Sequence, residues 1–463
     1  MADDIVKDSI SKNMTNDMTK GSPTKLVIKF IIPLIIGNIF QQLYSMVDTI
    51  IVGKFVGTTA LAGVGSTGAI NFLILGFAMG ITNGFSIPMA QSFGANDYDK
   101  LRHLVAMSIY LTVISALIIT FLSTIFLGDI LTIIKTPSDI YNYAFDYMII
   151  ILLGLITAMA YNMTSSVLRA LGDSKTPLYF LIIASILNVI LDLTFILIFN
   201  MGVSGAAYAT VLSQGLSALL CIFYIHKKFE ILKMKKKDFI YNKKSAYHLL
   251  KIGLPMAFQT SVVATGSILL QGAVNSLGTI AVASYTVCCR IEQLAIQPFL
   301  TLGIAASTYT GQNLGAGKID RIKDGIKKMT IIGIVISLIC IFIIYIFNTP
   351  LINLFIEENN DKPLIIKYAK QYLNWECFFF IPLMLLILYR SALQGIGNII
   401  FPTLTGVVEL LGRLVVAVGL VRFIGFLAIS LACPVAWLGG SLIVVIAYFV
   451  QIKKIEKDRK IID

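Results

Sequence analysis

Apolar residues run along this chain in long blocks, each followed by a short polar break. Twelve blocks can be marked, at 26–53, 58–92, 104–127, 141–167, 177–199, 203–225, 252–274, 279–310, 329–347, 364–389, 400–420 and 427–450. About 20 apolar residues in a helix cross the hydrocarbon of a bilayer, so the pattern predicts an all-α membrane protein with about 12 transmembrane helices. The polar stretch 1–25 is expected to be a cytosolic tail, because it lacks the basic start and apolar core of a signal peptide.

The blocks also repeat. Lys29-x3-Pro33 returns as Lys251-x3-Pro255, and Gln91-x2-Gly94-Ala95 as Gln312-x2-Gly315-Ala316. Tyr143-Ala144-x2-Tyr147 returns as Tyr368-Ala369-x2-Tyr372, and Gly172-x4-Pro177 as Gly397-x4-Pro402. These four anchors recur in order at offsets of 221 to 225 residues. The repeat predicts two six-helix bundles of the same orientation around a central cleft, a parallel repeat of the kind secondary transporters use. The expected divisions are an N-terminal lobe at 1–225, a linker at 226–251 and a C-terminal lobe at 252–463. In the second block Gly76, Gly80 and Gly84 make two successive G-x-x-x-G steps, which predict close helix packing.

Composition agrees with membrane residence. Hydrophobic residues make up 57% of the 463 and charged residues 13%, with a mean hydropathy of +0.84. Ordinary globular domains carry about 25% charged residues. The net charge of +12 does not point to nucleic acid. Its basic residues gather in alternate loops, nine of them in the linker HKKFEILKMKKKDFIYNKKSAYHLLK, so the positive-inside rule accounts for them and places both termini in the cytoplasm. The same linker has the composition to bind anionic lipid. All six cysteines, Cys221, Cys288, Cys289, Cys340, Cys377 and Cys433, lie in or beside apolar blocks without a metal-ligand spacing, which suits core packing.

Polar positions inside the blocks carry the candidate chemistry. Asp48 interrupts the first block, where a carboxylate costs about 2.5–3.5 kcal/mol on insertion scales. Asn38, Gln41, Ser45 and Asp48 share one helical face. The fifth block adds Asn188 and Asp192, four apart, and the sixth adds Thr210, Ser213, Gln214 and Ser217 on one face. If these faces meet, Asp48, Asn188, Asp192 and Thr210 form an all-oxygen site suited to a proton or a small hard cation, and the residues do not choose between H+ and Na+. A structural hydrogen bond between helices is the alternative. At the repeat positions of Asp48 and Asn188 stand Leu270 and Arg413, so the acid cluster is expected in the N-terminal half alone. The C-terminal half has its own intramembrane charges. Glu409 and Arg413 are spaced to pair on one helix. Glu292 is expected either to face the cleft or to pair with Arg290 or Arg413, and Gln41 and Gln271 are further candidates for a substrate cleft. No enzyme is expected: the three histidines lie at block ends or in loops, and GQNLGAGKID at 311–320 fails the phosphate-loop pattern at Gln312 and Ile319.

The runs VDTIIVGKFVGTTALAGVGSTG at 47–68, LRALGDSKTPL at 168–178 and NVILDLTFI at 188–196 resemble the MATE family of multidrug and toxin extrusion antiporters, in its DinF-like and MepA-like bacterial branch. The resemblance spans roughly 25–450. It implies two six-helix bundles in a V, alternating access and export of amphipathic, often cationic drugs in exchange for H+ or Na+, with no other cofactor. It also implies a multi-pass protein of the bacterial inner membrane that works as a monomer. The family's cation-site pattern falls on Asp48, Asn188, Asp192 and Thr210, which would be the metal ligands if Na+ is coupled. Its first-helix bend falls on Pro33. The seventh block has no acid, and Glu376 on the tenth, one turn after Tyr372, only partly matches the C-lobe sodium site of the NorM-like branch. A flippase for polyprenyl-linked saccharide or lipid, from the same superfamily, is the alternative; it would need a strongly basic cleft, whereas Arg169, Arg290, Arg390 and Arg413 are few.

Overall fold

The computed structural model describes residues 17–134, 136–356 and 361–462, so most of the polar N-terminal tail, residues 1–16, lies outside the described residues. Every apolar block is helical. In chain order the helices are α1 Pro23–Phe55, α2 Thr58–Ser66, α3 Gly68–Gly94, α4 Tyr98–Ile125, α5 Leu127–Ile133, α6 Ser138–Leu153, α7 Leu155–Ala170, α8 Lys175–Leu193 and α9 Gly202–Lys228. They continue with α10 Lys243–Asn275, α11 Thr279–Ala295, α12 Gln297–Gly315, α13 Ile319–Asn353, α14 Lys362–Phe378, α15 Phe380–Ile396, α16 Ile400–Leu414, α17 Val421–Ile424 and α18 Phe426–Ile462.

Among the described residues nine helices or continuous helical stretches are long and apolar enough to cross a bilayer, and eleven when two bent pairs count as one span each. The bent pairs are α6 with α7, at 48°, and α14 with α15, at 49°. The first bend is at Gly154, where an added Cβ would stand 2.2 Å from a Val211 methyl, so only glycine lets α9 pack into the corner. The block expected at 279–310 differs. It is two helices, α11 and α12, interrupted at Ile296, and Arg290, Glu292, Gln293 and Gln297 around the break dilute its apolar character.

The helices group into two compact units, one built mainly of Ile32–Ala257 and the other of Gly21–Ile31 with Phe258–Asp463. In the first unit, Ile81, Phe85, Met89, Leu101, Leu104 and Leu168 form a buried core into which Phe229 and Leu232 of the linker also reach. There α3 and the start of α10 meet almost backbone to backbone. A Cβ on Gly80 would stand 2.5 Å from the Ala257 Cα, and one on Gly84 would stand 2.5 Å from the Gly253 Cα. The Gly80–Gly84 step thus does pack, against a second small-residue pair on α10. Gly84→Val is expected to cost roughly 1–3 kcal/mol through overpacking. A thermal-shift assay in detergent should show its melting temperature several degrees down (about 2–4 °C per kcal/mol in a domain of this size). Gly65→Val, whose surroundings are open, should melt with the unsubstituted protein.

The second unit is packed by aromatic side chains. Phe299 and Phe380 meet edge-to-face at 5.7 Å, Tyr389 and Tyr448 at 5.1 Å, and Tyr309 and Tyr372 are fully buried. Many large apolar side chains are exposed on the outer helix faces, among them Leu117, Phe121, Ile346 and Phe423. A water-soluble protein rarely presents so much contiguous apolar surface, and a lipid-facing one must.

Candidate functional site

In the first unit the C-terminal half of α1, the end of α8, α9 and α6 converge. The carboxyl groups of Asp48 and Asp192 lie within hydrogen-bonding reach of each other. Tyr44, one turn before Asp48, brings its phenol within reach of the Thr210 hydroxyl. Tyr147 on α6 is close enough to interact electrostatically with Asp48, Tyr44 and Asp192. Asn188 is buried one turn before Asp192 on the same face of α8. Asp192 is fully buried, whereas Asp48 is half-buried.

Local structure explains the convergence. Ile51, Val52, Tyr147, Ile196, Val203 and Ala206 make one apolar cluster that fixes α1 against α6, α8 and α9. Directly after Asp192 the α-helix gives way to a π-turn over Thr194–Ile198, a distortion frequently found at functional sites. Two carboxyl groups within hydrogen-bonding reach attract only through something positive between them, a proton or a cation. The Oδ1 atom of Asp48 is buried and receives no hydrogen bond from the described residues. Carboxylate, amide and hydroxyl oxygens are the donor set that hard monovalent cations prefer.

The other candidates are placed differently. Pro33 is buried inside α1, which stays helical through it. Gln41 is exposed on α1, two turns before Asp48 on the same face. Gln271 donates through Nε2 to Asn275 Oδ1 at 2.8 Å, within the last turns of α10. Glu292 is within reach of Glu376 and of the Tyr372 phenol, with Arg413 near enough to act on it electrostatically. The second unit therefore has an acid pair of its own, where the sequence reading placed paired acids only in the first half. Glu409 does pair with Arg413, Oε2 to Nη2 at 3.6 Å, but its shorter bond is from Arg390 Nη1, at 2.7 Å. An Arg–Glu–Arg triad is thus buried among α15 and α16.

Sequence reasoning passed over Tyr44, Tyr147 and the Arg390 contact. A signal for the tyrosines was present. Tyr44 is four residues before Asp48, and Tyr147 and Tyr372 are the same repeat anchor, each facing an acid pair in its own unit. A second repeat feature is structural: α16 ends in a π-turn at Val415–Gly419, as α8 does at Thr194–Ile198.

Long apolar helices in two units, with carboxylates buried in apolar surroundings, are the marks of a secondary active transporter. The family model MatE matches twice, at residues 33–194 and 255–418, and the chain belongs to that family. A probable multidrug resistance protein of Bacillus subtilis (strain 168), YpnP, is 31% identical over 370 residues, 79% of this chain and 80% of that protein. A probable multidrug resistance protein NorM of Thermotoga maritima is 27% identical over 425 residues, covering 90% and 88%. Among solved structures, a multidrug resistance MATE family transporter in an outward-facing conformation superimposes with a TM-score of 0.89 at 22% identity, over 95% of this chain and 98% of that one. A MOP superfamily transporter from Pyrococcus furiosus gives the same TM-score and identity over 96% and 98%. At that identity the two structures speak for the fold.

Proposed function

We propose that the protein exports amphipathic, often cationic small molecules in exchange for H+ or Na+, and that the cation enters through Asp48, Asn188, Asp192 and Thr210. The observation that carries this reading is the approach of the Asp48 and Asp192 carboxyl groups within an apolar setting. The names of the curated relatives, multidrug resistance proteins, support the substrate class. Twelve spans in two six-helix halves, lobes at 1–225 and 252–463 joined by 226–251, are the architecture we infer. The two matches to one family model, starting 222 residues apart, support it. Both termini are assigned to the cytoplasmic side of a bacterial inner membrane by the positive-inside rule, and the working unit to the monomer.

Export requires that cation and substrate favour different conformations. Cation binding neutralises the Asp48–Asp192 pair and lets α1 repack beside Pro33, which removes one backbone hydrogen bond and eases bending there. That repacking narrows the cleft and releases substrate outward. One cation moving down 100 mV releases about 2.3 kcal/mol, enough for a gradient of tens-fold.

Purified protein in proteoliposomes, given a pH gradient or a Na+ gradient separately, should move a cationic dye under one of them. Transport of polyprenyl-linked saccharide with no dye movement would instead establish the flippase. That alternative is disfavoured by the arginines. Arg390 and Arg413 are engaged with Glu409, and Arg169 donates to Ser166 Oγ at 2.7 Å and Asn83 Oδ1 at 3.3 Å.

A further inference from the structure

The linker at 226–251 is a folded element of the first unit, with a built attachment. Phe229 and Leu232 are buried in the core, and Tyr224 meets Phe229 edge-to-face at 5.9 Å. Asp238, 3% exposed, accepts the Lys235 backbone N–H at 2.7 Å and lies 3.5 Å from Arg102 Nε on α4. Arg102 also donates to the Ile231 carbonyl at 3.2 Å, and the His103 ring nitrogen Nδ1 lies 3.0 Å from the Asp238 carbonyl. A loop needed only for its charge has no use for a buried aspartate clamped by an arginine.

The clamp fixes what the linker presents. The Tyr110 hydroxyl donates to the Phe239 carbonyl at 3.2 Å, and the two rings meet edge-to-face at 6.3 Å. Tyr110 lies six residues beyond Leu104, where the apolar run of α4 begins, so about 9 Å along the helix axis. The tip of the linker therefore lies level with the first two turns of the apolar run of α4. At that depth Phe239, Ile240 and Tyr241 are 37%, 67% and 63% exposed, and Tyr247 is 65% exposed. Lys235, Lys236, Lys243 and Lys244 are exposed on either side of them. An aliphatic and aromatic tip between lysines is the composition of an interfacial anchor on an anionic leaflet.

We propose that this linker docks on the membrane itself: Ile240 and Tyr241 enter the interface, and Lys235, Lys236, Lys243 and Lys244 hold the phosphate groups of anionic phospholipids. The assignment rests on the cytoplasmic orientation given above, but its test needs neither orientation nor transport. The full-length protein carrying Tyr241→Trp is placed in nanodiscs containing brominated phosphatidylglycerol or brominated phosphatidylcholine, and its quenching is compared with that of the protein lacking the substitution. The added indole should be quenched roughly twofold more by the anionic lipid, because polybasic attraction enriches that lipid beside it. Replacing the four lysines with Gln, or raising salt to about 0.5 M, should abolish the preference. Equal quenching by both lipids would overturn the headgroup assignment. No quenching by either would overturn the membrane placement of the tip, and a dye-transport assay on the same protein would still report independently on the antiporter reading.

Discussion

Asp48→Asn is expected to abolish cation-driven accumulation of substrate while the protein still folds and binds substrate. The substitution preserves the size of the side chain and leaves an amide able to donate to Asp192, so packing in the Ile51, Val52 and Tyr147 cluster is kept. It removes the negative charge on which the proposed proton or cation site depends. At 100 mV one uncoupled cation forfeits about 2.3 kcal/mol, so a gradient of about fifty-fold should collapse to none. Dye efflux from proteoliposomes under imposed pH and Na+ gradients reads this, and dye binding without a gradient should change less than about twofold, a minor free-energy difference. Asp192→Asn should behave alike. Glu292→Gln is the discriminating control, because it alters the acid pair of the second unit. Coupling that survives Asp48→Asn but fails in Glu292→Gln would move the coupling site to the second unit.

The parts of this arrangement that were legible in the sequence share a physical reason. Apolar blocks announce helices because an unpaired backbone is so costly in lipid that nothing else of that length is tolerated. Asp48 and Asp192 stood out because a carboxylate in such a block is expensive, and Gly80 and Gly84 because glycine there has little use besides close approach. Tyr44 and Tyr147 were hidden for the opposite reason: a tyrosine among 28 phenylalanines and 19 tyrosines costs nothing to notice and carries no contrast. The break between α11 and α12 was missed because polar residues near Ile296 still left the block apolar on average. The linker's fold was missed because a run of lysines reads as solvated, and the one residue that organises it, Asp238, has partners on a helix about 130 residues earlier in the chain.

Glu409→Gln should be strongly destabilising, costing about 3–5 kcal/mol, because it removes the carboxylate that two largely buried guanidinium groups share and that they cannot replace by discharging. Glu409 is 3% exposed and stands between Arg390 Nη1 at 2.7 Å and Arg413 Nη2 at 3.6 Å. Arginine does not give up its proton in proteins, so both guanidinium groups would stay charged. Arg413 has a weak second anchor, an Nη1 contact to the Val263 carbonyl at 3.5 Å, and packs closely on Gly266, where an added Cβ would stand 3.1 Å from the same nitrogen. Arg413→Gln should cost less. It leaves the Arg390–Glu409 bond intact, and the nearby carboxyl groups of Glu292 and Glu376, unlike the arginines, can take up a proton when their counter-charge is removed. Melting temperatures in detergent, followed by size-exclusion chromatography after heating, should rank the unsubstituted protein above Arg413→Gln and Arg413→Gln above Glu409→Gln. The reverse order of the two variants would show that Arg413 answers chiefly to the Glu292–Glu376 pair, and that the triad around Glu409 is incidental to holding α15 and α16 together.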